Sequence, residues 1–211
     1  MSDVTQPVQD QYQDIEQRHL ADVVGMWTFL ATEVMLFGGV FLAILVYRIA
    51  YPSAFAAGSH HLDKWLGGLN TLVLLTSSLT MALSVASARQ GRARAVYWLL
   101  TITAGLGIVF LAIKGFAYSR EYGEGLMPHV GPPFPLPQKG AMLFFNLYYI
   151  GTGLHALHLL IGIVIVLTFA IRVRVGSLPM PHDQMTIDIG GLFWHLVDIV
   201  WVFLYPVFYL M

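Results

Sequence analysis

Five long apolar runs dominate this 211-residue chain, and runs of that length leave a polypeptide very few structures to adopt. They cover about 23–47, 66–88, 96–118, 141–171 and 190–211. Each matches the roughly 20 residues a helix needs to cross the hydrocarbon of a bilayer at ~1.5 Å per residue. In lipid every backbone N–H and C=O must find its partner within the protein, so spanning segments are helices or closed barrels. These runs are too long and too continuously apolar for barrel strands. The fold expected is all-α, an integral membrane bundle of five transmembrane helices. Residues 1–22 are read as a polar N-terminal arm and 23–211 as the membrane domain.

Charge and cysteine content narrow the chemistry. Only 11% of residues are charged, against about 25% in a typical globular chain. A net charge of −1 without a basic stripe argues against a nucleic-acid partner. The chain has no cysteine, which excludes disulfides, thiolate metal centres and covalently attached haem c. The Gln-rich start lacks the basic stretch and apolar run of a signal peptide, and reads as an arm on the surface or against a neighbour. Arg18, Arg89, Arg92, Arg94, Arg172 and Arg174 fall on the N-terminal side of the membrane. Arg48, Lys64, Lys114, Arg120 and Lys139 fall on the other. Six against five, with three arginines in the short second loop, favours an N-terminus inside.

The connections differ. Residues 119–140 hold Pro128, Pro132, Pro133, Pro135 and Pro137, an extended, semi-rigid segment suited to packing on a partner. Pro179 and Pro181 prevent helical continuation between the last two spans. No inverted internal repeat of the transporter kind is visible, nor a broken-helix substrate site.

Ionisable residues at membrane depth are costly and mark partners or function. Glu33 lies roughly 15 Å into the first span. TGLHALHLLIG places His155 and His158 in the fourth, and FWHLVDIVWVFLY places His195 and Asp198 in the fifth. Depth makes Glu33–His155 a possible pair. It could serve as a clasp fixing helix register, as a proton-handling site, or as a group facing lipid or a solvent cavity. A His195–Asp198 hydrogen bond could orient one ring. His158 and His195 are the only tolerable pair for a b-type haem, yet bulky Leu, Ile and Trp neighbours leave no obvious slot. Zinc or iron would need three or four converging ligands. Ser78, Ala82 and Ala86, with Thr80, Ser84 and Ala88, form small-residue rows for close helix packing. Gly105, Gly107, Gly151, Gly153 and Gly162 read the same way. Trp27, Trp65, Trp98 and Trp201 read mostly as interface belts. Lys114 can snorkel outward, and with Arg89, Arg92 and Arg94 it is a candidate for gripping lipid headgroups.

Those motifs resemble the haem-copper oxidase subunit III family. TGLHALHLLIG followed by FWHLVDIVWVFLY matches its two C-terminal signatures, and EVMLFGG at 33–39 is similar to its EVMFF segment. KGFAYSREYGEGLMPH at 114–129 is similar to the branch found in caa3-type cytochrome c oxidases and beside nitric-oxide reductases. Ala117 stands where members often carry a glutamate, removing one possible acidic partner for the buried histidines. Many members have seven spans, and this chain resembles the five-span form.

The resemblance implies a non-catalytic subunit of a terminal oxidase that reduces oxygen to water and translocates protons. It implies no redox centre in this chain, with haem and copper in partner subunits, and structural phospholipids bound. Catalytic subunit I, subunit II, membrane lipids and a further respiratory complex are the implied partners. Glu33, His155, His158, His195 and Asp198 become a buried polar core for structural, proton and lipid organisation. The implied location is a bacterial inner membrane, N-terminus cytoplasmic and C-terminus periplasmic. The alternatives are a subunit III-like protein of a quinol oxidase or nitric-oxide reductase, and a b-type cytochrome membrane anchor.

Overall fold

A computed structural model describes residues 15–128, 134–136 and 140–210. The helices are α1 (Ile15–Ala50), α2 (Pro52–His60), α3 (Lys64–Arg89), α4 (Ala93–Gly123), α5 (Ala141–Arg174) and α6 (Gln184–Tyr209). All but α2 are long and apolar enough to cross a membrane, giving the five spans read from the sequence.

Three departures have local causes. Helix α2 was not expected, since nine residues cannot span; Pro52 starts it with a φ already set for a helix, and it buries Ala54 and Phe55. Helix α1 starts at Ile15, so no break separates arm from span at residue 22, while residues 1–14 of the arm lie outside the described residues. Helix α4 runs on to Gly123, five residues past the expected end, carrying Glu121 with it. Of the proline-rich connection, Pro132, Pro133 and Pro137 lie outside the described residues. The described part folds onto its own bundle. Leu126 is fully buried and the Phe134 ring sits 5.8 Å from that of Phe145.

Helices α3, α4, α5 and α6 form a ring in which each packs on the next and α6 closes against α3. Helix α1 stands outside, touching α2, α5 and α6. Its apolar window is 17% buried against 56% for α6, so most of its surface is left to lipid or to a neighbouring subunit. Polar side chains link the ring, as expected where lipid removes the hydrophobic drive for helix association. From α6, Trp194 Nε1 donates to Ser77 Oγ (3.2 Å) and Trp201 Nε1 to Thr71 Oγ1 (3.1 Å) on α3. Thr80 and Thr103 join α3 to α4 through their hydroxyls, 2.7 Å apart.

The small residues divide by position. Ser84 and Ala88 are buried, whereas Ala82 and Ala86 are exposed. A Cβ on Gly107 would sit 3.0 Å from both Ile163 and Trp194, and one on Gly162 3.3 Å from Phe193 and Trp194. Gly105 and Gly153 face open space, so the packing role expected of all five glycines belongs to Gly107, Gly151 and Gly162. Gly107→Leu is expected to destabilise the purified protein by about 1–3 kcal/mol through overpacking. Gly105→Leu should stay within about 0.5 kcal/mol of the parent. Thermal unfolding of both variants in the same detergent checks this.

Candidate functional site

Glu33 projects from α1 toward α5, and its partner there is His158. Nε2 of His158 lies 2.8 Å from Oε2 of Glu33, and each side chain is only 12% exposed. The opposite ring nitrogen, Nδ1, is 2.7 Å from the Leu154 carbonyl. A carbonyl only accepts, so Nδ1 carries a proton. Nε2, on the opposite edge of the ring, is thereby aimed at the Glu33 carboxylate. The expected Glu33–His155 pairing is therefore corrected. Three residues along a helix turn it by about 300°, leaving some 60° between the two rings. That rotation turns His158 to the α1 seam and His155 into the ring of helices.

His155 is 1% exposed, and neither ring nitrogen has a hydrogen-bond partner among the described residues. Its neighbours are aromatic. Phe110 meets it edge-on at 5.5 Å and Trp201 lies tilted at 5.2 Å. Trp201, expected in an interface belt, is fully buried here, while Trp27, Trp65 and Trp98 are exposed.

Beyond Trp201 lies Lys114, which does not snorkel. It is 4% exposed and its ammonium sits within 4.9–5.7 Å of the rings of Tyr118, Tyr148, Trp201 and Tyr209. An aromatic cage of this kind attracts a cation through the ring quadrupoles. Nζ donates to Tyr148 Oη (3.0 Å) and Tyr209 Oη (3.2 Å). Tyr148 in turn donates to Glu121 Oε1 (3.0 Å), and Tyr149 donates to Oε2 (2.8 Å). The 2.8 Å contact between Tyr148 and Tyr209 then has Tyr209 as donor, because the single Tyr148 hydroxyl proton is committed to Glu121. A lysine and a carboxylate, both buried, are thus joined through a phenol. This inward orientation withdraws Lys114 from the headgroup position expected of it.

A third cluster spans α3 and α6. His195 Nδ1 pairs with Ser78 Oγ at 2.8 Å, not with Asp198. Asp198 is 3% exposed and faces the same hydroxyl without hydrogen-bond geometry to either oxygen. One turn of α6 separates the two residues, yet each ring or carboxylate turns to α3 rather than to its neighbour. Arg89, Arg92 and Arg94 are exposed, with Arg89 bonded to Asp188 of α6 at 3.2 Å. Arg89 and Asp188 border an apolar cleft of about 370 Å³ between α1, α3 and α6, and a second of about 410 Å³ lies between α1, α5 and α6. Among the described residues no three His, Asp or Glu side chains converge as a metal site requires.

A family model described as cytochrome c oxidase subunit III matches residues 13–211. This chain belongs to that family. The cytochrome c oxidase subunit 3 of Synechocystis sp. is 30% identical over 187 residues, covering 89% of this chain and 74% of the relative. The probable quinol oxidase subunit 3 of Staphylococcus epidermidis is 27% identical over 187 residues, covering 89% and 87%. The haem-copper oxidase subunit I+III of Aeropyrum pernix is 27% identical over 195 residues, 88% of this chain but 22% of that longer protein. As a member of the subunit III family the chain is a multi-pass membrane protein that associates with other oxidase subunits.

Sequence reasoning missed the Glu121 end of this subunit's central network. The signal available was two opposite charges seven residues apart on one helix, which is two turns and the same face. Lys114→Met is expected to cost about 3–5 kcal/mol, since it leaves Glu121 buried without its cation. Adding Glu121→Gln should recover part of that loss. Thermal unfolding of the two variants, compared with each other, checks the coupling.

Proposed function

We propose that this chain is the non-catalytic third subunit of an oxygen-reducing, proton-translocating terminal oxidase in a bacterial inner membrane, seated against the catalytic subunit I. The observation that carries the reading is the Aeropyrum pernix relative, in which the part similar to this chain shares one polypeptide with a subunit I. Fusion fixes the two as neighbours in that protein. The largely unburied surface of α1 offers an apolar face for such a neighbour. Haem and copper belong to the partner subunits in this reading. The arginines of the short α3–α4 loop support an N-terminus on the cytoplasmic side and a C-terminus on the periplasmic side.

The chain's own contribution is support. The Glu33–His158 pair pins α1 to the ring at mid-membrane, where few other contacts hold it. The clefts on either side of α1 suit phospholipid acyl chains, with Arg89 at the mouth of one for a headgroup. A bound lipid and a fixed α1 together would steady the face presented to subunit I.

Relatives named for cytochrome c and for quinol oxidases are both similar to this chain, so the donor is decided by the complex. Purification through a tag on this chain in gentle detergent should bring down a large haem-bearing membrane subunit. The reduced-minus-oxidised spectrum of the eluate gives the haem type of the partner, and oxygen consumption with reduced cytochrome c or with a quinol identifies the donor. Eluate without haem would overturn the reading. In the same complex, Glu33→Gln should leave haem content unchanged but hasten the loss of activity during turnover. An unaltered inactivation rate and unfolding temperature would refute the support role of the pair.

A further inference from the structure

The Lys114 network ends in a chamber that the support role does not use. It lies between α3, α4 and the end of α6, on the face of the membrane where the C-terminus lies. Its wall includes Asn70, Lys114, Ala117, Glu121 and Tyr209, with Asp63 at the rim beside Arg120. Arg120 and Asp63 pair at 3.4 Å with side chains 50% and 39% exposed, so the rim opens at the surface of the molecule.

Three observations say what the chamber takes. Its volume, about 30 Å³, exceeds the roughly 10–15 Å³ one ordered water requires. Asn70 is 1% exposed, and its Oδ1 has no hydrogen-bond partner among the described residues. Lys114 carries three donors and spends two, on Tyr148 and Tyr209. Asn70, with its unpaired buried acceptor, and Lys114, a buried cationic donor, therefore line one small space together with Glu121. A water held there would have the two to four polar partners that buried water needs. An apolar occupant would leave the Asn70 oxygen unpaired at the cost of its desolvation.

We propose that this chamber is a hydration site, holding water that bridges Lys114, Asn70 and Glu121 and exchanges with the aqueous phase past Asp63 and Arg120. Ala117 makes the room for it. A longer side chain at that position, one turn before Glu121, would project into the same space. The buried Lys114–Tyr148–Glu121 line is thereby kept in contact with one aqueous face of the membrane rather than sealed in the bundle.

Hydroxyl-radical labelling by X-ray pulse on the intact oxidase complex tests this, because radicals formed from bound water mark the side chains beside it. Tyr209 is only 4% exposed yet should label several-fold faster than Phe110, which is fully buried and away from the chamber. Mixing with ¹⁸O water shortly before the pulse should place ¹⁸O in the Tyr209 product, marking exchange with bulk. Ala117→Leu should fill the chamber and lower Tyr209 labelling toward that of Phe110. If Tyr209 of the unsubstituted protein labels no faster than Phe110, there is no hydration site. If its product carries only ¹⁶O, the water is trapped and the open route is wrong. The first two measurements need no variant, so a poorly folding Ala117→Leu protein would not spare the proposal.

Discussion

The buried ammonium of Lys114 is the interaction on which the arrangement of the ring depends. Helices in a bilayer gain little by burying apolar surface against one another, because the lipid is equally apolar. What selects one packing is the demand of groups that lipid cannot satisfy. Lys114 makes that demand from α4, and it is met by Tyr148 of α5, Tyr209 of α6 and, through Tyr148, Glu121 of α4 itself. Each of those partners fixes the rotation of its helix. Trp201 is held between the ammonium and the His155 ring, and its indole nitrogen reaches across to Thr71 of α3. All four ring helices are thus referred to one cation within two contacts.

The five spans were legible because helix length and continuous apolarity are composition-level properties, set by bilayer thickness rather than by packing. The identity of the polar residues was legible for the same reason, since Glu33, His155, His158, His195 and Asp198 stand out in any apolar run. Their partners were not. Depth along the membrane can be counted from the sequence, and it makes His155 and His158 equally eligible for Glu33. The choice between them rests on a rotation of some 60° about the α5 axis, which depends on every contact that helix makes. His195 and Asp198 show the same limit: proximity on one helix suggests a pairing, while packing against α3 gives His195 the Ser78 hydroxyl and leaves Asp198 beside it without a hydrogen bond among the described residues. Glu121 was lost at a boundary, lying just beyond where apolarity ends though the helix continues. Trp201 was misread through statistics of tryptophan placement, which describe a belt and cannot see the interior of a particular bundle.

The three polar clusters differ in what they bind together. The Lys114 system lies inside the ring and the Ser78–His195 contact lies within its α3–α6 side, so both belong to the part of the fold that closes on itself. Of the three, the Glu33–His158 pair is the one that joins the ring to the helix outside it, beside the Phe29–Phe193 and Phe41–Phe203 ring contacts and the hydrogen bond from Tyr47 to the Gly140 carbonyl. Helix α1 has the smallest buried share of the five spans and apolar clefts along two of its sides. Local stability follows buried contact, so α1 is the span least determined by its own chain. Its position is left to whatever occupies its remaining surface. A family whose members associate with other oxidase subunits has reason to leave one helix in that condition. The ring keeps its shape through its own internal cation, while α1, held to it by the Glu33–His158 pair and a seam of aromatic contacts, is free to be fitted to its surroundings without loosening the ring.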